Sequence, residues 1–378
     1  MTETLAIQER EPNNREAATP RGAARSRVYE IDPLSDLRWD GLLRRNPHAS
    51  VFQSYAWLDA LRRTYGYEPV AFTTSAPNED LDNAIVFCRV ESWLTGKRLV
   101  SLPFSDYCEL LVDDAGKLRR LVGALESKAF EQKWRYIELR PLDSTESFES
   151  ATVLSRSTQE YTYHRLDLTP DLDNLFRNFH KDSTQRKVRR AEREGLEYRE
   201  GAGELLDEFY DLLSITRQRH RVPPQPRNWY HNLITCFGNA LKIRMAFKDG
   251  HAVAGMLTLQ YKNVMTYKYG GSDPRFNKFG SMHLLFWKAF QEAKNSGLTA
   301  FDFGRTDAAQ AGLITFKGRW GSKQSRLIYS RYVLPGNSPA FLDPAVGSWK
   351  TQLAKRAFAH MPARALKLAG RVLYKHIG

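Results

Sequence analysis

The stretch LKIRMAFKDGHAVAGMLTLQYKNVMTYKYG, residues 241–270, decides the fold. It holds three mainly apolar runs separated by the turns Asp249-Gly250 and Lys262-Asn263. Such pairs favour tight β-hairpin turns, because Gly, Asn and Asp tolerate a positive φ. The stretch therefore predicts three consecutive antiparallel strands over 241–247, 252–261 and 264–269.

The segments on either side of this meander read as helices. The pattern predicts helices over 184–194 and 204–219 before it, the second ended by prolines. A loop over 270–280, a helix over 281–295 and a strand over 300–303 follow it. This is the element order of an acyltransferase domain of the GNAT type, and the resemblance lies in topology.

The first part of the chain repeats this order loosely. It predicts a first strand, two helices, three strands, a helix and two strands, over 28–31, 36–45, 53–65, 69–73, 84–90, 99–102, 117–133, 136–139 and 163–168. We therefore expect an α/β protein with two tandem GNAT-like domains, 28–168 and 169–334, each a mixed, mostly antiparallel sheet flanked by helices.

Length, charge and cysteine content indicate the number of domains, the kind of partner and the cellular compartment. A chain of 378 residues exceeds one ordinary domain. Its net charge of +13 favours polyanionic partners such as tRNA, the phosphates of CoA or an anionic membrane surface. The three cysteines, Cys88, Cys108 and Cys236, form no CxxC pair and are expected to be reduced thiols. We expect a cytoplasmic protein, peripheral at the inner face of the cell membrane if it binds lipid.

Neither a leader nor a membrane span is predicted. Residues 1–27 lack the apolar core of a signal peptide and are expected to form a flexible tail. No run approaches the roughly 18 apolar residues that cross a bilayer. Metal-ligand and nicotinamide motifs are also absent, so we expect neither a metal nor a permanently bound cofactor.

The most specific motif is Phe301-Asp-Phe-Gly-Arg-Thr306, followed by Gly312-Leu-Ile-Thr-Phe-Lys-Gly-Arg-Trp-Gly321. This arrangement resembles the FemABX enzymes and their acetyltransferase relatives. The resemblance covers about residues 28–334. It implies that Lys317 presents its charge to the oxyanion that develops during acyl transfer. It also implies that the flanking aromatic residues Phe316 and Trp320 contact substrate. A surface lysine at the start of a helix is the other interpretation.

Asp302 and Arg305 follow the strand that precedes this lysine. Three interpretations stay open: an ion pair that shapes the cleft, contact of Arg305 with a substrate phosphate, and Asp302 as a general base.

A second candidate group lies on the basic helix 184–194 and just after the helix that follows it. Arg186, Arg190 and Arg193 share one helix face, which is either a solvated surface or a site for a pyrophosphate. By resemblance, Arg219 and His220 line the acceptor site, with Arg221 near a customary glycine. In the first domain the resemblance gives Asp106 and Tyr107 the same role.

A phosphate cradle is predicted at the helix that follows the meander. Asn277, Lys278, Gly280 and Ser281 stand where GNAT domains hold the CoA pyrophosphate on backbone N–H groups. Asn277 and Met282 depart from the usual Gln/Arg-x-x-Gly-x-Gly/Ala pattern. An ordinary loop with a glycine at the helix start is the alternative.

The C-terminal region, 335–378, reads as a basic amphipathic helical tail interrupted at Pro362. Lys350, Arg364, Lys367, Arg371 and Lys375 alternate with apolar residues. Such a tail lies on anionic lipid or packs its apolar stripe on the protein.

These features together predict an N-acyltransferase. It would move an acyl group from acyl-CoA to an amine on a cell-envelope or exopolysaccharide precursor. Two alternatives stay open. One is an aminoacyl-tRNA-dependent peptidyltransferase of the FemABX kind, although the coiled-coil arm of many members is absent. The other is a non-catalytic module that binds polyanions.

Overall fold

The computed structural model describes residues 27–93, 95–142, 146–334, 358 and 361–377. The predicted N-terminal tail, apart from Arg27, and the predicted C-terminal tail over 335–357 therefore lie outside the described residues. None of the helices in the described part is both long enough and apolar enough to cross a membrane.

The strands of the described residues form one twelve-stranded sheet. They are β1 Tyr29–Ile31, β2 Glu68–Thr73, β3 Ile85–Ser92, β4 Gly96–Val100, β5 Ile137–Leu139, β6 Ser155–Asp167, β7 Glu197–Gly201, β8 Leu241–Lys248, β9 His251–Tyr261, β10 Val264–Ser272, β11 Ala300–Asp307 and β12 Lys323–Val333. The predicted meander is confirmed as β8, β9 and β10.

The helices lie between these strands. They are α1 Arg38–Arg45, α2 Tyr55–Tyr65, α3 Ala115–Gln132, α4 Glu146–Glu149, α5 Leu172–Asn178, α6 Arg186–Arg193, α7 Leu206–Arg219, α8 Arg227–Phe237, α9 Ser281–Asn295, α10 Ala311–Gly318 and α11 Ala363–Ile377. Gly66 and Gly297 follow α2 and α9 with φ of 70° and 74°, the left-handed conformation that ends helices.

The element order occurs twice along the chain. The series β1, α1, α2, β2, β3, β4, α3, β5, α4, β6 is repeated as β7, α7, α8, β8, β9, β10, α9, β11, α10, β12. In both copies the fourth and fifth strands, β4 with β5 and β10 with β11, pair in parallel, and the remaining pairs are antiparallel. The predicted fold class, two tandem α/β units with a mostly antiparallel sheet, is confirmed.

The two repeats exchange their last strands. The sheet order is β1-β2-β3-β4-β5-β12-β6-β11-β10-β9-β8-β7. The final strand of the second repeat, β12, therefore pairs with β5, and the final strand of the first, β6, pairs with β11. β6 and β12 pair with each other along the middle of the sheet, from Lys323 opposite Arg165 to Val333 opposite Ser155. Because the repeats share one sheet, the division after residue 168 stays a prediction.

The helices cover the sheet on both faces. One core is shared by the repeats, since residues of α1, α2, α7 and α8 contribute to a single apolar cluster. On the opposite face, α3 packs over the first repeat, and α5, α6 and α9 pack over the second. The boundary between the repeats on the shared face is where the charged residues described next are buried.

Candidate active site

The Asp302-Phe303-Gly304 motif forms a bulge in β11. Asp302 Oδ1 accepts a hydrogen bond from the Gly304 N–H at 2.6 Å, and the strand register shifts between Asp302 and Arg305. Phe303 packs in the core of the second repeat. Gly304 has a φ of 68°, and a Cβ there would lie 2.8 Å from Asp106 Oδ2. Glycine is therefore required twice, for its backbone conformation and for the approach of Asp106.

Asp106, from the first repeat, forms the centre of a buried charged cluster. Its Oδ2 lies 3.0 Å from the Nζ of Lys268, which lies at a bulge in β10. The Lys268 ammonium also faces the rings of Phe52 and Trp57 at 5.0 and 5.6 Å. Burial lowers the pKa of Lys268, and the adjacent Asp106 opposes that change. The pair joins the two repeats.

Arg305 belongs to the same cluster and corrects one expectation. It does not pair with Asp302, because its charged partner is Asp106, with Arg305 Nε 3.9 Å from Asp106 Oδ1. Its guanidinium lies over the rings of Tyr161 and Tyr329, at 4.3 and 5.2 Å. The Tyr329 hydroxyl in turn donates to the main-chain oxygen of Asp106 at 2.7 Å. The exchanged strands thus hold both Arg305 and Asp106 in place.

Lys317 lies in the last turn of α10 and its side chain is buried, so the alternative of a surface lysine at a helix start is wrong. Its Nζ donates to the carbonyls of Phe303, Gly304 and Arg305 at 2.6, 2.9 and 3.2 Å. Burial lowers the pKa of Lys317 to about 8, although Asp106 and Asp302 oppose the shift. The ammonium therefore holds the β11 bulge, and its longest hydrogen bond is the one to Arg305.

Asp302 is fully buried on the shared face of the sheet. Burial and the neighbouring charge of Asp106 raise its pKa to about 6, against the smaller lowering effects of the Gly304 N–H, Tyr163 and Arg165. Among the described residues, Oδ2 accepts no hydrogen bond of good geometry, and the Tyr163 hydroxyl is the donor near enough to lower the pKa of Asp302. A buried carboxylate oxygen without such a bond is able to accept a proton or an N–H from a substrate.

A cavity of about 300 Å³ lies next to the strand neighbours of Asp302. Thr266 and Arg165, which pair with Asp302 on the neighbouring strands, both line it. Both repeats contribute to its wall, which is lined by residues 47–51, Tyr107, Glu109, Leu142, Arg165, residues 261–264 and Thr266. Tyr107 is buried, and burial together with Asp302 raises its pKa. The cavity therefore reaches the strands on either side of Asp302, while Asp302 itself is buried behind its wall.

The predicted phosphate cradle is packed against α6. Gly280 has a φ of 77°, and a Cβ there would lie 2.6 Å from the main-chain oxygen of Lys187. Asn277 Oδ1 accepts from the Ser272 hydroxyl at 3.2 Å, and Ser281 is buried. Lys278 lies over the Phe279 ring. The side-chain direction of Gly280 is therefore filled by α6, and phosphate binding by the backbone N–H groups of this loop stays a prediction.

The basic helix α6 exposes all three of its predicted arginines. Arg190 pairs with Glu194 at 3.1 Å, whereas Arg186 and Arg193 make no ion pair within the described ranges. Arg219 and His220 are exposed at the end of α7. Arg221 has a φ of 58°, in the left-handed region that favours glycine.

Phe316 and Trp320 pack in the core rather than facing the cavity. Trp320 is fully buried, and its ring lies 5.0 Å from Phe179 and 5.2 Å from Phe290. Phe316 lies against His283 and Phe286. Both residues therefore support the fold around Lys317, and neither lines the cavity beside Asp302.

Sequence reasoning missed Lys268, Arg165 and Tyr329. Lys268 and Arg165 read as ordinary polar positions of alternating strands, and Tyr329 lies in a strand that was not predicted. A lysine between aromatic residues in the run Thr266-Tyr-Lys-Tyr-Gly270 was the available indication. Such a lysine is buried only if a carboxylate accompanies it, and that carboxylate is remote in the sequence.

Comparison with known proteins agrees with this architecture. Residues 178–317 match the Acetyltransferase (GNAT) domain family. The structure is similar to a crystal structure of FemX, with a TM-score of 0.64 and 16% identity, covering 84% of this chain and 99% of that one. No protein of curated function matches the sequence significantly.

Two further solved structures share the fold. L-PGS from Bacillus licheniformis aligns with a TM-score of 0.52 and 15% identity over 85% of this chain and 96% of its own. A tandem GNAT protein from the clavulanic acid biosynthesis pathway aligns with a TM-score of 0.53 and 11% identity, over 82% and 99%. Residues 178–317 thus match the GNAT acetyltransferase domain family, within a chain that has the fold of FemX and of a tandem GNAT protein.

Proposed function

We propose that the chain is an N-acyltransferase whose reaction centre lies where the two repeats meet. The observation that carries this proposal is the charged cluster in which the side chains of Asp106, Lys268, Asp302 and Lys317 are buried and that of Arg305 is half-buried. A cavity lined by both repeats reaches the strand neighbours of Asp302. Buried charge beside a cavity is typical of reaction sites, since burying it without a function destabilises the fold.

The acceptor amine enters the cavity and meets Asp302. The carboxylate attracts the protonated amine, which loses one proton to solvent before it attacks. Because the pKa of Asp302 is about 6, the carboxylate is ionised at neutral pH. This pKa is also close enough to pH 7 for the carboxylate to take a proton from the attacking amine. Asp302 is thus the proposed base, and Tyr107 and Arg165 position the acceptor.

Lys317 acts on the acyl carbonyl. As the amine adds, negative charge develops on the carbonyl oxygen, and a preorganised cation stabilises it. The ammonium already donates to three main-chain carbonyls, so it exchanges the 3.2 Å bond to Arg305 for the oxyanion. The adduct then collapses: Asp302 takes the proton of the attacking nitrogen, the C–S or C–O bond to the donor breaks, and the departing thiolate or alkoxide receives that proton from Asp302.

We propose acyl-CoA as the donor and an amine of a cell-envelope or exopolysaccharide precursor as the acceptor. This choice rests on the GNAT-type domain at 178–317 and on the FemABX resemblance of the Asp302 and Lys317 motifs. A structure titled as the C-terminal domain of a putative lysylphosphatidylglycerol synthetase, from Agrobacterium fabrum, has the same fold with 14% identity and a TM-score of 0.52. An acceptor in the cell envelope would be consistent with that structural similarity.

Thermal stability with candidate donors tests the proposal first. Acetyl-CoA, long-chain acyl-CoA, and charged and uncharged tRNA are added separately, since a ligand of the folded state raises Tm. With the donor that binds, Lys317→Met is expected to lower kcat by about 10²- to 10³-fold at unchanged donor affinity. Exposed Lys323→Met is the matched control. Full activity of Lys317→Met would show that Lys317 does not stabilise the oxyanion.

One observation favours an aminoacyl-tRNA donor as the second candidate. The carbonyl of Lys187 lies against Gly280 in the predicted phosphate loop, and α6, which carries it, exposes Arg186, Arg190 and Arg193. A Tm increase with charged tRNA and none with CoA thioesters would move the protein to this class. No increase with any donor would favour the non-catalytic module that binds polyanions.

A further inference from the structure

The C-terminal helix α11 is fixed across the two repeats by its inner face. Leu366 is buried, and the backbone at Gly370 lies so close to Pro224 that a Cβ would come within 2.0 Å of its carbonyl oxygen. The Tyr374 hydroxyl donates to the Pro223 carbonyl at 3.1 Å. From the first repeat, Arg98 donates to the carbonyl of His376 at 2.9 Å. The helix is therefore a rigid part of the surface.

The outer face of α11 combines apolar and basic residues. Leu368 and Val372 are 63% and 57% exposed, one helical turn apart. Arg371 and Lys375 are exposed beside them and make no ion pair within the part of the chain that the structure describes. The helix contains no acidic residue. This face is the solvent-facing half of the amphipathic pattern seen in the sequence.

Trp93 extends the same surface from the turn between β3 and β4. It is 86% exposed, and its ring lies 5.8 Å from that of His376 at the end of α11. His376 is one turn beyond Val372, so Trp93, Val372 and Leu368 follow one line. We call Trp93, Leu368, Val372, Arg371 and Lys375 the α11 patch.

We propose that the α11 patch docks the protein on an anionic phospholipid bilayer. Exposed aliphatic side chains enter the boundary between headgroups and acyl chains, and tryptophan favours that boundary. Arg371 and Lys375 meet the lipid phosphates, and the net charge of +13 attracts the molecule to the surface. Charge complementarity thus selects an anionic membrane.

A groove of about 760 Å³ opens beside the patch. It runs between α11 and the helices α2, α7 and α8, and Leu368, Arg371 and Lys375 form part of its wall. Docking would place its mouth at the membrane surface. If the proposed transferase activity holds, an acceptor attached to lipid would meet the protein on this side; docking itself does not depend on that activity.

Co-sedimentation of the full chain with vesicles tests the docking. Vesicles of phosphatidylcholine alone are compared with vesicles that also contain phosphatidylglycerol. We expect binding to the anionic vesicles only, weakened in about 0.5 M salt. Replacing Trp93, Leu368 and Val372 by Ser should lower the bound fraction at least about tenfold, and R371E/K375E should do the same. Leu37→Ser, at a residue that is 96% exposed just before α1, is the matched control.

The outcomes separate the possible occupants of the patch. Every replaced side chain is exposed, so we expect the variants to keep the Tm of the unmodified protein. An unchanged Tm shows that folding is intact. Absence of binding to anionic vesicles, or equal binding by the patch variants, overturns the proposal. So does self-association that the patch variants abolish, or tRNA binding that they abolish while vesicle binding persists. The donor-dependent Tm shift, measured without vesicles, tests the transferase separately.

Discussion

Lys317 and Asp302 have pKa values that burial moves toward each other. The pKa of Lys317 is lowered to about 8 and that of Asp302 is raised to about 6. Both residues contact the bulge at Gly304, Asp302 through the glycine N–H and Lys317 through its carbonyl. One local structure therefore explains all three motif residues. Asp302 caps the turn, Phe303 fills the core and Gly304 permits the close approach of Asp106.

These shifts predict a bell-shaped pH dependence of kcat. Transfer should rise as Asp302 ionises near pH 6 and fall as Lys317 loses its proton near pH 8. Asp302→Asn should remove the lower limb, and Lys317→Arg should move the upper limb to higher pH, because arginine stays charged. Two acceptors of different amine pKa separate the ionisation of the acceptor from that of the enzyme. Limbs unchanged in both variants would contradict the assignment.

The residues of the site were only partly predictable. Asp302, Lys317, Asp106 and Tyr107 were named from motifs, and the structure brings them together at one junction. Their predicted roles stay untested. Lys268 and Arg165 could not be found, because their significance arises from a carboxylate or a strand that folding brings alongside.

At the scale of elements, the packing of α6 on the start of α9 is the least expected feature. Gly280 has a positive φ and touches the backbone of Lys187. Gly297 has a similar φ of 74°, yet a Cβ added there would meet no atom within 4 Å. The two glycines thus have the same backbone conformation, and only Gly280 has a neighbouring atom where a Cβ would lie. Comparing substitutions at the two positions therefore measures the contact between Gly280 and Lys187.

Gly280→Ala should destabilise the protein more than Gly297→Ala. The left-handed conformation costs an alanine about 1 to 2 kcal/mol at either position. At Gly280 the clash with the Lys187 carbonyl adds to that cost, since backbone cannot move as a flexible side chain does. Urea unfolding of both variants measures the difference. Equal free energies of unfolding would mean that α6 is held loosely enough to move away from Gly280.

Strong periodicity and turn residues predicted the meander, α2, α3, α7 and α9 to within a few residues. The edge strand β7 and the last strand β12 were missed. The sequence of β7, EYREG, is largely charged, and β12 begins KQSR with an exposed half. β7 lies at the edge of the sheet, and its composition gives little indication of a strand. The second half of β12, from Leu327 to Val333, has the composition of a strand, but its partners β5 and β6 are remote in the sequence.

At the scale of the whole molecule, the exchange of β6 and β12 makes the repeats interdependent. Buried Glu138 on β5 binds Arg331 of β12 and Arg140 of its own repeat. Although burial acts to raise its pKa, the two arginines lower the pKa of Glu138 to about 2. Removing β12 would leave a buried carboxylate with one partner and β5 with an open edge.

Separate halves of the chain should therefore fail to fold alone. A fragment of residues 1–168 would lack the strand between β5 and β6, and a fragment of residues 169–378 would lack the strand between β12 and β11. We expect each to be aggregated or without cooperative thermal unfolding, and co-expression to restore a soluble pair. Circular dichroism and size-exclusion chromatography measure this. A cooperative transition in the isolated first half would contradict the prediction.

The same exchange delays the pairing of β5 during synthesis on the ribosome. β5 ends at Leu139, and its partner β12 begins only at Lys323. At about 5 to 20 residues per second, roughly 10 to 40 s pass before that partner is made. Throughout this interval the nascent first half carries an unpaired strand edge, so it depends on chaperones or on slow collapse to avoid aggregation. Completion of the sheet is thus a late event, reached when nearly the whole chain has emerged.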